Sequence, residues 1–87
     1  MNHELKTWPE YYQAIIDGIK TFEVRKDDRG FEVGDMLRLR EYHPCIEPDP
    51  CTGRYTGRYC YVKVIYMLRN FPGLEEGYCV MGIRQRV

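Results

Sequence analysis

Within the run Gly18-Ile19-Lys20-Thr21-Phe22-Glu23-Val24-Arg25, a lysine, a glutamate and an arginine fall close together. Glu23 and Arg25 are two apart, so on a strand they share one face, and Lys20 stands at the junction that leads into it. The three side chains can converge on a polar ligand. An arginine fork donates to acceptors while a carboxylate accepts from an exocyclic amine, so the pair can read the edge of a base. The plainer alternative for Glu23 and Arg25 is an exposed ion pair worth at most about 1 kcal/mol.

A second constellation is the tandem repeat Thr52-Gly53-Arg54-Tyr55-Thr56-Gly57-Arg58-Tyr59. Arg54, Tyr55 and Arg58, with Tyr59 beside them, interleave cations and rings in the way that suits single-stranded nucleic acid, where rings stack on bases and arginine meets phosphate or a base plane. The competing reading is a solvated hairpin tip with a local duplication. Nucleophilic triads have little to draw on: the chain has no serine, and His3 and His43 are its two histidines. No phosphate loop or dinucleotide fingerprint occurs, because the glycines are isolated. His43, Cys45, Cys51 and Cys60 could supply soft ligands to tetrahedral zinc, but there is no Cys-x-x-Cys knuckle. Cys60 and Cys79 fall on the apolar parity of two strands, where a thiol acts as a small hydrophobe. Neither a metal nor a cofactor is expected.

The elements that must position these residues are legible from periodicity. Thr7-Trp8-Pro9-Glu10 reads as a capping box with Pro9 in the first turn. Trp8, Tyr12, Ile15, Ile16 and Ile19 follow at helical spacing as one core-facing stripe, and Gly18 supplies the stop. From Thr21 the period changes to two. Phe22 and Val24 alternate with Thr21, Glu23 and Arg25 as a half-buried strand with one charged face. Asp27 to Gly30 and Val33-Gly34-Asp35 are turns; Met36 to Tyr42 is a strand with Leu37 and Leu39 facing in and Arg38 and Arg40 facing out. Residues 43 to 58, with Pro44, Pro48 and Pro50, read as a long irregular loop. Arg58 to Leu68 is the longest strand, with Cys60, Val62, Val64, Tyr66 and Leu68 on one face. Tyr78 to Arg86 is the last, with Cys79, Met81 and Ile83 on one face and Gly82 marking a bulge or close backbone approach. One N-terminal amphipathic helix with about five strands makes a mainly β (α+β) domain, a small barrel capped by the helix.

At 87 residues the chain has room for one core, so residues 1–87 form a single domain. Thirteen basic and thirteen acidic residues cancel, which removes the field a histone-like or membrane-surface protein uses to grip polyanions non-specifically. The neutrality is uneven. Residues 1 to 53 hold seven basic and eleven acidic side chains, and residues 54 to 87 hold six and two. Mutual neutralisation of the two halves is the simplest consequence. No segment approaches the roughly 18 apolar residues of a membrane span and the start lacks an apolar leader, so the expected compartment is the cytoplasm, with the four cysteines as thiols.

The order of His3-Glu4-Leu5-Lys6, Gly18 through Arg29, Val33-Gly34-Asp35, Leu39-Arg40-Glu41-Tyr42, Tyr55-Thr56-Gly57-Arg58 and Gly77 through Ile83 resembles a short bacterial and phage family of unknown function within the PUA-like, ASCH superfamily. The resemblance covers almost the whole chain. It implies a PUA-like β pseudo-barrel with a helix beside a cleft, an association with RNA, and a ligand site lined by the Lys-x-x-Glu-x-Arg segment, so Lys20, Glu23 and Arg25 carry over. Some relatives are amidohydrolases acting on acetylated cytidine through a Lys-x-x-Thr pattern and a later glutamate. Here Glu23 stands at the threonine position, and the later glutamate would be Glu75 or Glu76. The leading expectation is therefore an RNA- or nucleotide-binding module whose cleft uses Lys20, Glu23 and Arg25, flanked by Arg54, Tyr55 and Arg58. A hydrolase for a modified nucleoside, with Lys20 as nucleophile or base, and a protein-interaction module are the alternatives. A selective cleft with few phosphate contacts implies a shallow salt dependence of affinity.

Overall fold

The computed structural model of the protein describes residues 1–44 and 53–86. Six elements follow in the order β1 (Asn2–Thr7), α1 (Pro9–Ile16), β2 (Phe22–Lys26), β3 (Met36–His43), β4 (Arg54–Arg69) and β5 (Tyr78–Gln85). The strands make one mainly antiparallel sheet, ordered β1-β3-β4-β5-β2, in which only the β1/β3 pair is parallel. The sheet curls into a half-barrel, as the period-two patterning requires, with the short helix against its inner face.

Alternation selects the buried face. Leu37 and Leu39 of β3, Val62 and Val64 of β4, and Cys79, Met81 and Ile83 of β5 point into one cluster with Leu5, Ile15 and Phe31. Midway along β4 the pairing slips between Val64 and Tyr66. The slip reverses the expected parity: Met67 packs on the core, while Tyr66 is exposed. Gly82 lies opposite Tyr66, where a Cβ would come within 3.2 Å of the tyrosine Cβ. The close approach read at Gly82 is therefore present, with the irregularity carried by β4.

Other expectations change as well. Asn2–Thr7 is a strand, hard to read because Leu5 is the single strong hydrophobe among polar neighbours; pairing with β3 holds it. That pairing retains Thr7 in the sheet, so no capping box forms, and Trp8 is the N-cap without a side-chain cap bond. Trp8 and Ile19 are exposed, which narrows the buried helical stripe to Tyr12 and Ile15. In β2 the charged face is the inner one: Glu23 is buried while Phe22 and Val24 face solvent. Finally, β4 begins at Arg54, inside the stretch read as loop, because Arg54 and Tyr55 find partners on β3 before the pairing shifts and resumes at Tyr59.

The two outer strands of the open sheet are bridged by arginine side chains. Arg25 Nη2 donates to the Lys6 carbonyl at 2.8 Å and Arg29 Nη1 to the Glu4 carbonyl at 2.7 Å, satisfying acceptors on the free edge of β1. The connection between β2 and β3 is fastened twice. Arg69 pairs with Asp27 at 2.6 Å and also donates to the Phe31 carbonyl. Asp35 takes the N-terminal amine at 3.1 Å and meets His3 Nε2 at 2.9 Å. Asp27–Arg69 and Glu41–Arg58 join the acidic half to the basic half, whereas the pairs of Glu23 and Glu4 stay within the first half.

Candidate functional site

Where β1 gives way to α1 and β2 closes from the other side, a cleft of about 490 Å³ opens. β1 contributes Lys6 and Thr7, the start of α1 contributes Trp8 and Tyr11, and the β2 side contributes Lys20, Glu23, Val24 and Arg25. The three residues singled out by spacing do converge here. Glu23, 3% exposed, receives Lys20 Nζ at 2.8 Å on one oxygen and Arg25 Nε at 2.8 Å on the other. Lys20 also donates to the Phe22 carbonyl at 2.7 Å.

Placing Glu23 on the inner face makes this arrangement possible. A buried carboxylate needs charge and hydrogen-bond partners, and the i,i+3 and i,i+2 neighbours supply both without a long-range contact. The unit retains a net positive charge because two cations share one anion. Arg25 uses two of its five N–H donors on Glu23 and Lys6 among the described residues, so the rest of the fork can meet a ligand. Lys20 also lies 5.7 Å from the Tyr11 ring centroid and 4.9 Å from that of Phe22, so apolar rings limit its freedom to swing away.

Two further features escaped periodicity. Trp8 and Tyr11 stack with centroids 6.1 Å apart and planes 18° from parallel, and are 48% and 46% exposed. Their helical spacing is that of a core stripe, and only the tertiary position of α1 turns the pair outward. Thr7 is buried, and its Oγ1 has no hydrogen-bond partner among the described residues. A buried hydroxyl in that condition costs about 1–3 kcal/mol. Its position on the cleft wall could not be read from a sequence motif that resembled a helix cap.

The tandem repeat divides between two surfaces. Alternation sends Tyr55 and Tyr59 outward, while Thr56 Oγ1 donates to buried Glu41 at 2.7 Å. Arg58 Nη2 reaches Gln13 of α1 at 3.1 Å, with its guanidinium 4.9 Å from the Tyr12 ring. Arg54 pairs with His43 at the start of β4 and is exposed. Arg54, Tyr55 and Arg58 are absent from the residues lining the cleft, as are Glu75 and Glu76.

Cys60 lies on the inner side of β4. Burial, then the charge of Glu23, pushes its thiol up, so it is not a thiolate nucleophile at neutral pH. Burial also pushes the Tyr12 phenol up, with Cys60 adding to the effect. Cys45 and Cys51 of the possible zinc set lie outside the described residues; among those described, no three His, Cys, Asp or Glu side chains are grouped to hold a metal ion. No helix among them is long and apolar enough to cross a membrane.

The chain belongs to the family described as Domain of unknown function (DUF3850), which it matches over residues 2–83. It is also similar to the "Uncharacterized 12.9 kDa protein in GpA 3'region" of Escherichia phage P2, at 38% identity over 56 residues. That match covers 64% of this chain and 44% of the phage protein, so the matched region spans less than half the length of the relative.

Proposed function

We propose that the protein binds RNA or a nucleotide in the cleft between β1, the start of α1 and β2, as a PUA-like, ASCH-type module. One juxtaposition carries the reading: a pair of exposed stacked rings, Trp8 and Tyr11, stands beside two cations held in place by buried Glu23. A nucleotide combines a flat apolar face with anionic and hydrogen-bonding groups, and aromatic stacking beside oriented cations matches both.

Binding is favoured over hydrolysis because Lys20 Nζ is engaged by two acceptors, the Phe22 carbonyl and Glu23, at 2.7 and 2.8 Å, which hold it against the cleft wall and away from attack on a substrate. Trp8 is the chain's single tryptophan, so its emission reports occupancy of the cleft directly. Fluorescence titration and anisotropy with mononucleotides and short single-stranded RNA should show saturable binding that Lys20→Ala/Arg25→Ala and, independently, Trp8→Ala weaken by at least about ten-fold. Unchanged binding in both variants removes the cleft from the account. Acetylated nucleosides followed by product chromatography test the hydrolase reading, since a binding module gives no turnover.

A further inference from the structure

The outer face of β3 and β4, around the β1 edge from the cleft, carries a ladder of rings and guanidinium groups. Arg38 and Arg40 alternate with buried Leu37 and Leu39, and Tyr59 and Tyr61 flank inward-facing Cys60 and precede buried Val62, so all four project away from the core. The Arg38 guanidinium lies 4.3 Å from the Tyr59 ring centroid and that of Arg40 3.6 Å from Tyr55. Tyr42 meets Tyr55 edge-on at 5.1 Å, and Tyr61 meets Tyr59 at 5.9 Å. Tyr59 and Tyr61 remain 49% and 45% exposed, each with surface left for a planar ligand.

Charge and continuity select the occupant. Among the described residues, Lys6, Arg38, Arg40 and Lys63 occupy this face against one acid, Glu4, which pairs with Arg40 at 2.7 Å. Lys6 belongs to both surfaces: it lines the cleft, its carbonyl accepts from Arg25, and its ammonium lies 4.7 Å from the Tyr42 ring on the outer side. A ligand leaving the cleft over Lys6 therefore meets Tyr42, Tyr55 and Arg40, then Tyr59, Arg38 and Tyr61. A repeating anion with a flat ring at each repeat fits that order of groups.

We infer that the ligand is a single-stranded nucleic acid, with one nucleotide in the cleft and the following ones stacked along the Tyr/Arg ladder of β3 and β4. This rests on the cleft reading above and adds a substrate class, a strand in place of a free nucleotide. Aromatic stacking tolerates any base and the arginines meet phosphates or base planes, so the ladder contributes affinity and the cleft contributes selection.

The test is anisotropy with fluorescein-labelled single-stranded RNA from one to eight nucleotides on wild type, Tyr59→Ala/Tyr61→Ala, Tyr59→Phe/Tyr61→Phe and Lys20→Ala/Arg25→Ala. Expected are affinity that rises over the first several nucleotides, a loss of at least about ten-fold for longer strands in the alanine pair, unchanged mononucleotide binding in that pair, and retention by the phenylalanine pair, which also controls for folding. Longer strands bound equally by wild type and the alanine pair overturn the ladder and leave the cleft reading standing. Strands that need the ladder but ignore Lys20→Ala/Arg25→Ala overturn the cleft and the continuous track together. Failure of every RNA to bind, with nuclease-resistant capture of a protein through Tyr59 and Tyr61, replaces the strand with a protein partner.

Discussion

Lys20 and Arg25 in the cleft are gripped by a carboxylate almost wholly removed from water, whereas Arg38 and Arg40 on the outer sheet lie on tyrosine rings with exposed Glu4 as their acidic partner. The same residue types serve two purposes. Inside the half-barrel mouth, low polarity makes each ion pair strong and makes an unpaired charge costly, so the cation positions are rigidly set. On the outer face, water screens the charges and the rings supply a shallow attraction, so the cations can adjust to what they meet. A site that discriminates needs the first arrangement, and a surface that follows a flexible chain needs the second.

The largest effect that tests this contrast is on stability. Glu23→Gln leaves Lys20 and Arg25 facing a neutral amide in the cleft wall and should destabilise the fold by about 2–4 kcal/mol, at or below the usual cost of breaking a buried pair because both cations are partly hydrated. Glu4→Gln on the ladder should leave the urea midpoint where it was. Comparable losses in the two variants would erase the distinction between gripped and resting cations.

Acid acts to a smaller degree and on a third place, the connection between β2 and β3. Burial pushes the Asp35 carboxyl up, but hydrogen bonds from His3, the N-terminal amine and the Glu32 amide outweigh it and hold the group below the ordinary aspartate range. Asp27, hydrogen-bonded by Arg69, is likewise lowered. For a carboxyl lowered on folding, the stabilisation is fully present above the unfolded value near 3.8 and is lost as pH falls through the folded value. The midpoint of urea unfolding should therefore decline steeply only below about pH 4, and Asp35→Asn should flatten that decline while lowering stability at neutral pH by less than Glu23→Gln does. On the ladder, exposed Glu4, hydrogen-bonded by Arg40, is also lowered, and solvent screening makes its contribution smaller. A decline of equal steepness in Asp35→Asn would remove the carboxylate clip from the explanation.

The smallest expected difference is in salt. Mononucleotide binding in the cleft engages about one phosphate and should fall with a slope near −0.7 on a log–log plot, while each phosphate met on the ladder should add about as much again. The Tyr59→Ala/Tyr61→Ala variant should return longer strands toward the mononucleotide slope. Equal slopes for one and for eight nucleotides would mean that the ladder meets no phosphate.

Some of this was readable without coordinates because it is local. The spacing of Lys20, Glu23 and Arg25 brings them together through backbone period alone, and the alternations of β3 and β5 name their buried residues correctly. The resemblance to a family with a helix beside a cleft pointed to the same segment. The failures share a cause. Thr7 imitates a helix cap until β1 pairs with β3, Phe22 and Val24 imitate a core face until Glu23 takes the inner side, and Arg54 and Tyr55 imitate a loop until β3 supplies partners.

By itself, then, the chain's order of residues determined a mainly β fold with one short helix and a charged cluster after Gly18, because helix and strand periods act over a few neighbouring positions. The tertiary structure alone decided which face of β2 is inside, that Thr7, Trp8 and Tyr11 wall the cleft, that arginines tie β2 and its following turn to the free edge of β1, and that Tyr55 and Tyr59 join Arg38 and Arg40 while Arg58 turns toward α1. Each of these depends on which strand lies alongside, and that is set by burying apolar surface and satisfying backbone hydrogen bonds across the whole sheet.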